Sequence, residues 1–440
     1  MRYYIYPGGV NGKAVLSALE ILDVENEYIL IDDCFKEHNF TFLCDNIKDS
    51  EVVLIASKFN YEEFSNKLKE QKIYNFVNGI EWVGDKINSY IRKQRNSDKK
   101  AIGVVFKQEM IIKNFYGIDK GLEKNGYELV YIVGTTELYN RYHNNHLCIL
   151  AKDVVLEEVD SLDLIIVACG EPINPKVKSL NLTHGYQGVL HYPFMAYSDS
   201  DKNFLRYAAE RNTYVSCGGK KICRGYGEFF KHFNLENRAV GLGYLNLTQT
   251  YKDYNYFLEK NKNFNEDVII IGFSFLTLED HIKDLISGLL RMQKKIFIMA
   301  HPIFKKQVDE EIIPLFSNNT CFLHESDFES RNEIFARSIY LITDSSSVGY
   351  TYPLVTGKRC IVWIKNKEEY WHNKMGEEHY FDPRLHLLSS NVQEVLEIID
   401  EIPSSAVEFR NVVQKYREQE CFYFYDSREK TLEFINGLLK

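Results

Sequence analysis

Short apolar runs alternate with amphipathic stretches along the whole chain. The apolar runs are rich in β-branched residues, which indicates buried strands, and the stretches between them follow a helical period. The strands are predicted at residues 3–6, 28–31, 52–55, 102–106, 129–133, 164–168, 268–272, 296–299, 339–343 and 360–363. The helices are predicted at residues 13–22, 62–69, 111–124, 279–292 and 392–399, among others. This alternation is typical of parallel sheets with crossover helices, so we predict an α/β fold.

Two breaks in the pattern divide the chain. Residues 92–100 form a polar, charged run with the composition of an interdomain linker. A second break falls at residues 234–237, before a new series of strand and helix patterns. We therefore predict three α/β parts, at residues 1–97, 98–236 and 237–440.

Composition narrows the class of protein. The chain has 440 residues, 45% of them apolar and 26% charged, which is ordinary for globular domains. No apolar run approaches the ~18 residues of a membrane span, and the first residues do not begin a signal peptide. A net charge of −9 argues against a nucleic-acid partner. We expect a cytoplasmic protein, and contact with the inner face of a membrane stays open.

Cysteines and histidines give no metal pattern. The nine cysteines are scattered without a C-x-x-C pair, which predicts reduced thiols and no disulfide framework. His143 and His146 lie in a polar loop without a partner pattern of cysteines or acids. We therefore predict neither a metal site nor a cofactor.

Glycines follow the first predicted strand in the run P-G-G-V-N-G-K at residues 7–13. Such a turn lets the backbone approach a phosphate at a helix N-terminus, and Asp32 or Asp33 could bind ribose hydroxyls. The spacing is not G-x-G-x-x-G, so a plain tight turn stays open beside a nucleotide site. The segment resembles the small Rossmann-like domain at the start of PglD-type sugar acyltransferases, and this resemblance implies an accessory module.

Three separated motifs are candidates for chemistry. They are N-L-T-H-G at residues 181–185, a strand leading to His301 and Pro302, and a strand leading into T-D-S-S-S at residues 343–347. Ligands of open α/β sheets bind beyond the carboxyl ends of strands, where all three motifs are expected. Ser345, Ser346 and Ser347 can present hydroxyls and backbone N–H groups to an anion, whereas a plain helix N-cap explains one serine.

His184 is the candidate for proton transfer. A histidine titrates near neutral pH and can take a proton from an attacking hydroxyl. Gly185 leaves room for a substrate to approach closely. The alternative for His184, and also for His301, is a structural histidine bonded within the core.

His301 lies 117 residues after His184, and Ser346 lies 45 residues after His301. In this order and spacing, the three motifs resemble those of the CDP-glycerol glycerophosphotransferase family, of the teichoic-acid primase and polymerase type. The similarity extends from about Lys100 to the end and includes F-Y-F-Y-D at residues 422–426. The chain departs from the family where Phe273 and Ser274 replace Pro-Thr, where G-Y-L-N at residues 243–246 lacks an arginine, and where Lys358 and Arg359 replace Lys-Pro.

The resemblance implies a GT-B fold of two Rossmann-like lobes after the small first domain, with an acceptor lobe at 98–236 and a nucleotide-donor lobe at 237–440. It also implies that His184 activates an acceptor hydroxyl and that His301 with Ser345, Ser346 and Ser347 binds the diphosphate of a CDP-linked alditol. The further candidate substrate-binding residues are Gly185, Ser274 and Asp344. Arg331 and Lys358 are added as cations that could replace those the family has at its diphosphate site, and a solvated surface position stays open for both.

The implied reaction transfers a phosphoalditol to a glycan or lipid-linked acceptor, releases CMP and builds a cell-surface polymer such as teichoic acid or capsule. Two alternatives stay open. One is a GT-B glycosyltransferase that uses a nucleotide sugar in capsule or lipopolysaccharide synthesis. The other is a non-catalytic nucleotide-binding subunit.

Overall fold

The computed structural model describes residues 1–96, 98–168, 171, 173–183, 185–186, 203, 206–207, 210–211, 213–262, 265–273, 279–344, 346–363, 381–402 and 407–440. The strands are β1 Arg2–Tyr6, β2 Glu27–Leu30, β3 Val52–Ile55, β4 Phe76–Asn78, β5 Ala101–Phe106, β6 Glu128–Val133, β7 Leu147–Leu150, β8 Leu164–Val167, β9 Lys178–Asn181, β10 Tyr214–Cys217, β11 Ala239–Gly241, β12 Val268–Gly272, β13 Lys295–Ile298, β14 Phe322–Leu323, β15 Ser338–Thr343, β16 Cys360–Trp363 and β17 His386–Ser389.

The helices alternate with these strands. They are α1 Val10–Leu22, α2 Phe40–Asn46, α3 Tyr61–Glu70, α4 Gly79–Gln94, α5 Glu109–Ile112, α6 Ile118–Lys124, α7 Thr136–Tyr142, α8 Lys220–His232, α9 Leu245–Lys260, α10 Glu279–Arg291, α11 Lys305–Gln307, α12 Ile313–Phe316, α13 Arg331–Arg337, α14 Val348–Thr356, α15 Val392–Glu401, α16 Val407–Glu420 and α17 Ser427–Leu439. Short 3₁₀ segments occur at Asp153–Glu158, Pro302–Phe304 and Glu325–Asp327, and a π turn at Val308–Ile312.

The first sheet is parallel, with strand order β2-β1-β3-β4. Close packing in the turn after β1 requires glycine at residue 12, because a Cβ there would lie 2.4 Å from the carbonyl oxygen of Pro7. Asp33 of the predicted ribose pair accepts a hydrogen bond from Tyr6 and forms an ion pair with Lys67, both at 3.1 Å. These contacts account for Gly12 and Asp33 without a bound nucleotide. Nucleotide binding at this turn stays a prediction.

The second sheet has strand order β11-β10-β9-β8-β5-β6-β7. The central strand β5 is buried at every residue, as a strand covered on both faces must be. From β5 the chain adds β6 and β7 on one side, and then β8 to β11 on the other. This is the doubly wound arrangement of Rossmann-like folds.

The third sheet is also doubly wound, with strand order β14-β13-β12-β15-β16-β17 and parallel pairing throughout. The chain leaves β12 toward β13 and β14, then returns to the other side of β12 with β15. Sheets of this kind bind ligands at the carboxyl ends of the strands where the order reverses. The topology therefore marks the ends of β12 and β15 as the place to search for a site.

Contacts divide the chain into two compact units. The first contains residues 1–182, 203–215 and 431–440, and the second contains residues 183–202 and 216–430. Within the first unit, one apolar core includes Ile5 and Val15 of the first sheet's layer and Ile132 of the second sheet. The run predicted as a linker continues α4 to Gln94, and Arg92 forms an ion pair with Asp160. The predicted boundaries at 97 and 236 stay a prediction.

The predicted α/β class is confirmed, and each predicted strand is present to within one residue at either end. The predicted helix at residues 111–124 is wrong as a single element. It is broken between α5 and α6, where Tyr116 and Gly117 have φ values of +23° and +67°. The glycine tolerates this left-handed geometry, and a helix cannot continue through it.

Candidate functional site

The third sheet brings the ends of β12, β13 and β15 to one edge. Gly272 at the end of β12 pairs with Thr343 at the end of β15. On the other side of β12, the Met299 N–H donates to the carbonyl of Ile271 at 2.9 Å. His301 follows Met299 by two residues, and Asp344 follows Thr343 directly. The structure thus places His301 and the start of the serine turn at the same edge, on strands about 10 Å apart.

The serine turn after β15 is held by hydrogen bonds within the turn. The Ser346 N–H donates to Asp344 Oδ1 at 3.0 Å, and the Gly349 N–H donates to the Ser346 carbonyl at 2.9 Å. Ser347 is the N-cap residue of α14, yet within the described residues its side chain makes no capping hydrogen bond. A plain N-cap therefore does not describe Ser347. Its hydroxyl is half-buried and is not committed to the helix.

The H-G motif approaches this turn from a distant part of the sequence. A Cβ built at Gly185 would lie 3.4 Å from Ser347 Cβ and 3.7 Å from Ser347 Oγ. Thr183, two residues before, is buried and has a φ of +58°, which is rare for a β-branched residue. Such strain costs about 1–3 kcal/mol and is concentrated at functional sites. His184 itself lies outside the described residues, as do Ser274 and Ser345.

An aromatic layer packs against these segments. The rings of Tyr186 and Tyr350 stack with centroids 5.5 Å apart, and His386 meets Tyr350 edge-on at 4.6 Å. Burial raises the pKa of Tyr350, and its hydroxyl has no hydrogen-bond partner in the part of the chain that the structure describes. An unpaired buried hydroxyl costs about 1–3 kcal/mol. A polar ligand group that reached this hydroxyl would offset that cost.

His386 positions the first turn of α14. Its Nδ1 accepts from the Asp382 N–H at 3.0 Å, and its Nε2 lies 2.9 Å from the Gly349 carbonyl oxygen, so the neutral Nε2–H tautomer satisfies both contacts. Burial lowers the pKa of His386 from its ordinary 6.5 to about 4, although the bond to Gly349 and the charge of Asp382 oppose this shift. The nearby Lys221 adds to the lowering. His386 is therefore neutral at physiological pH.

This burial predicts an acid-dependent loss of stability. Between pH 6.5 and about 4 the unfolded histidine binds a proton that the folded one does not, so the free energy of unfolding falls as the pH falls. The contribution has a slope of at most about 1.4 kcal/mol per pH unit. Urea unfolding at several pH values should show a shallower slope in His386→Gln than in the wild type. His38→Gln, at an exposed histidine, should keep the wild-type slope; equal slopes for all three proteins would refute this account.

Asp382 and Arg384 form an ion pair just before β17. Arg384 donates to Asp382 through Nε at 2.9 Å and through Nη2 at 2.8 Å, and its Nη1 donates to Glu420 at 3.0 Å. Burial raises the pKa of Asp382, but the hydrogen bonds from Arg384 outweigh it, and the net shift is downward. Arg384 is thus committed to two carboxylates and fixes the loop that orients His386.

Lys358 lies away from the serine turn, and its substrate role stays a prediction. Lys358 precedes β16, so it lies at the opposite edge of the parallel sheet from the strand ends described above. It is 1% exposed, and its ammonium donates to three carbonyl oxygens, those of Phe335, Ala336 and Ser338. A salt bridge to Glu266 at 3.3 Å adds to these contacts. Lys358 therefore holds the end of α13 against the start of β15.

Arg331 is exposed at the first turn of α13, with its guanidinium 5.1 Å from the ring centroid of Phe335. Its substrate role stays a prediction. Asp344 is buried, and its carboxylate orients the turn by accepting the Ser346 N–H. Among the described residues, no three His, Cys, Asp or Glu side chains gather closely enough to hold a metal ion. None of the described helices is long and apolar enough to span a bilayer.

The structure of this protein is similar to several solved structures. No family model and no curated protein matches the sequence. The solved structure of the wall teichoic acid polymerase TagF is similar with a TM-score of 0.52 and 13% identity, over 87% of this chain and 98% of that one. A TagF variant soaked with CDPG has a TM-score of 0.54 and 11% identity, over 87% and 99%. UDP-GlcNAc 2-epimerase from Neisseria meningitidis, bound to UDP-GlcNAc, has a TM-score of 0.53 and 11% identity, over 77% and 100%.

These similarities concern the fold. Together with the doubly wound sheets, they confirm the predicted fold class, an α/β chain of Rossmann-like sheets with a GT-B-like fold. Folds of this kind host many activities, so the chemistry must be argued from the site itself.

Proposed function

We propose that this protein is a transferase that moves a phosphoalditol, glycerol phosphate or a similar group, from a CDP-linked donor to a hydroxyl of a cell-surface glycan or teichoic-acid-like acceptor. The observation that carries the proposal is the approach of Gly185 to Ser347 at the carboxyl edge of the third sheet. It supports the convergence of the H-G and S-S motifs that the family resemblance implies.

The donor diphosphate would lie at the serine turn. Ser347 Oγ offers a hydrogen bond to an anion, and the dipole of α14 adds a positive end. His301 would approach the same diphosphate from the end of β13. The buried Asp344 carboxylate serves here as the acceptor that shapes the turn, since it binds the Ser346 N–H. The Tyr350 hydroxyl offers a further donor to a polar group of the ligand.

The reaction would be an in-line displacement at phosphorus. His184 takes the proton of the acceptor hydroxyl, and the acceptor oxygen forms a bond to the β-phosphorus while the bond to the bridging oxygen breaks. CMP leaves with that oxygen, and the diphosphate site stabilises its charge. Positioning and charge stabilisation carry most of the catalysis in phosphoryl transfer.

A nucleotide sugar is the second candidate donor, and a specific observation favours it. One structure similar to this chain is that of an epimerase bound to UDP-GlcNAc, whereas another is that of TagF soaked with CDPG. Both bound or soaked compounds belong to proteins with the GT-B type of fold. The alternative function is therefore glycosyl transfer from a nucleotide sugar in capsule or lipopolysaccharide synthesis.

Donor binding and turnover distinguish these functions. Purified full-length protein is titrated with CDP-glycerol, CDP-ribitol and UDP-GlcNAc by calorimetry, and CMP or UDP release is followed in the presence of membrane lipid and glycan acceptors. We expect a CDP-alditol to bind at least about tenfold more tightly than UDP-GlcNAc, which corresponds to about 1.4 kcal/mol, and to release CMP only when acceptor is present. Transfer from a UDP-sugar alone would replace the proposal with the alternative. Binding of a CDP-alditol without release under any condition would indicate a non-catalytic nucleotide-binding subunit.

A further inference from the structure

Trp363 ends β16 with an indole N–H that lacks a hydrogen-bond partner among the described residues. The side chain is 1% exposed, so water does not replace the missing acceptor at the protein surface. Most buried polar groups of folded proteins are paired, and an unpaired one therefore calls for an explanation. An unpaired buried donor destabilises the protein, and a ligand that supplied an acceptor would remove this penalty.

The indole lies at the edge of the third sheet that also carries the serine turn. Gly272 of β12 pairs with Thr343 of β15, and Thr343 pairs with Val362 of β16. Trp363 is one residue past this row on β16, as Phe273 is on β12. The two rings meet edge-on with centroids 5.7 Å apart, although β15 separates their strands by about 10 Å. They therefore approach each other across the end of β15, where the serine turn begins.

The described neighbours of the indole are aromatic and apolar. Trp363 and Phe273 belong to one apolar core with Ile282 of α10. His281, the third residue of α10, meets the indole edge-on with ring centroids 6.1 Å apart. Of these four side chains only that of His281 is partly exposed, so a ligand would approach the indole past His281.

We propose that the indole N–H of Trp363 donates a hydrogen bond to the nucleobase of the donor, at the O2 carbonyl oxygen that cytosine and uracil share. The inference rests on the proposed function, because it takes the donor to be a nucleotide whose diphosphate lies at the serine turn. The His281 ring rotates away and leaves room for the base beside the rings of Trp363 and Phe273. Trp363 is thus a base-recognition residue of the donor site.

The chemistry of the two ends of the donor supports this placement. A pyrimidine is a flat ring with a carbonyl acceptor, which suits a single N–H among aromatic side chains. An alditol carries several hydroxyls, and the apolar neighbours of Trp363 would leave them unpaired. On the other side of β12 the same edge carries the polar His301 after β13, which suits the alditol phosphate. The base therefore lies toward β16, and the transferred group lies toward β13.

Indole NMR on the full-length protein tests the contact directly. The chain has three tryptophans, Trp82, Trp363 and Trp371, so protein labelled with ¹⁵N-tryptophan gives three indole N–H signals. The signal that is missing from Trp363→Phe is that of Trp363. CMP, and separately UMP, should move this signal downfield, because an N–H that donates to an oxygen is deshielded. Inorganic pyrophosphate should move it far less, and the signal of Trp82 should stay in place with all three compounds.

Calorimetric titration separates base recognition from a structural role. Trp363→Phe keeps an aromatic ring but removes the N–H, and it should weaken CMP binding about three- to tenfold. Its affinity for pyrophosphate should equal that of the wild type. Trp82→Phe is the matched control, because it makes the same exchange at a half-buried tryptophan of the first compact unit, and it should bind both compounds like the wild type. Equal losses for CMP and pyrophosphate in Trp363→Phe would make Trp363 a structural residue and overturn the inference.

The outcomes also distinguish this inference from the proposed function. If CMP and UMP bind but leave the Trp363 signal in place, the inference is overturned whatever donor the protein uses. If the signal responds to both nucleotides but only a UDP-sugar is turned over, the inference stands and the alternative donor replaces the CDP-alditol. If neither nucleotide binds, both proposals fail. Should Trp363→Phe not fold, Trp82→Phe and Trp371→Phe assign the Trp363 signal by elimination, and the wild-type titrations still decide.

Discussion

Replacing His184 by alanine is expected to lower kcat for phosphoalditol transfer by about 10²- to 10⁴-fold, the usual range for loss of a general base. Donor affinity should change by less than about threefold, because the base acts on the acceptor hydroxyl and the donor is bound by other groups. The measurements are CMP release at saturating CDP-alditol and calorimetric titration of the same donor. The neighbouring Gly185 lies against Ser347, a residue of the proposed donor site.

The matched control is His38→Ala. His38 is an exposed histidine of the first compact unit, and its ring packs 4.8 Å from that of Phe42. This variant should retain wild-type kcat and donor affinity. Full activity of His184→Ala would remove His184 from the mechanism. Equal losses in turnover and in donor affinity would instead make it part of the donor-binding surface.

Much of the third sheet could be predicted because its strands are buried on both faces. β12 reads V-I-I-I-G and β16 reads C-I-V-W, and such continuous apolar runs have few other interpretations in an α/β chain. The polar residues that interrupt these runs then mark strand ends. Residues 343–347 were therefore expected at the carboxyl edge of the sheet, where the structure places Asp344, Ser346 and Ser347.

The supports of the site could not be predicted, because each depends on a contact between distant residues. His386 joins Gly349 to Asp382, and neither residue belongs to a recognisable motif. Arg384 is held by Glu420, which is 36 residues away. Lys358 follows the serine helix as a cation of the diphosphate site would, but only the fold shows that its ammonium is buried among carbonyl oxygens. The pattern of apolar and polar residues predicts the buried faces and the ends of helices and strands. It does not predict these three residues, because they act through contacts with residues distant in the sequence.

The same limit applies to Tyr350 and to the break in the predicted helix at residues 111–124. Tyr350 is an ordinary aromatic of an apolar helix in the sequence, and only the structure shows that its hydroxyl has no hydrogen-bond partner among the described residues. The glycine at 117 is compatible with a helix interior at a modest cost, so periodicity alone does not reveal the left-handed turn there.

The double variant Ser346→Ala, Ser347→Ala is expected to weaken donor binding by roughly 100-fold or more while the fold keeps its stability. Hydrogen bonds to charged groups contribute about 1.5–3 kcal/mol each, and two such bonds to a diphosphate would be lost. Stability should change by less than about 0.5 kcal/mol, because the Ser347 side chain makes no capping bond and the backbone contacts of the turn are retained. Calorimetric titration with CDP-glycerol measures the first effect, and urea unfolding without ligand measures the second.

Ser330→Ala provides a control with the opposite pattern. Ser330 is a true N-cap residue, since its hydroxyl accepts the Glu333 N–H at 3.3 Å at the start of α13. Its removal should cost about 1 kcal/mol of stability, the usual value for a lost cap, and leave donor affinity unchanged. If the double variant instead lost stability like Ser330→Ala and bound the donor normally, the serine turn would be a helix cap after all. The diphosphate would then have to lie elsewhere, because the argument for this edge of the sheet rests on serine hydroxyls that the helix does not use.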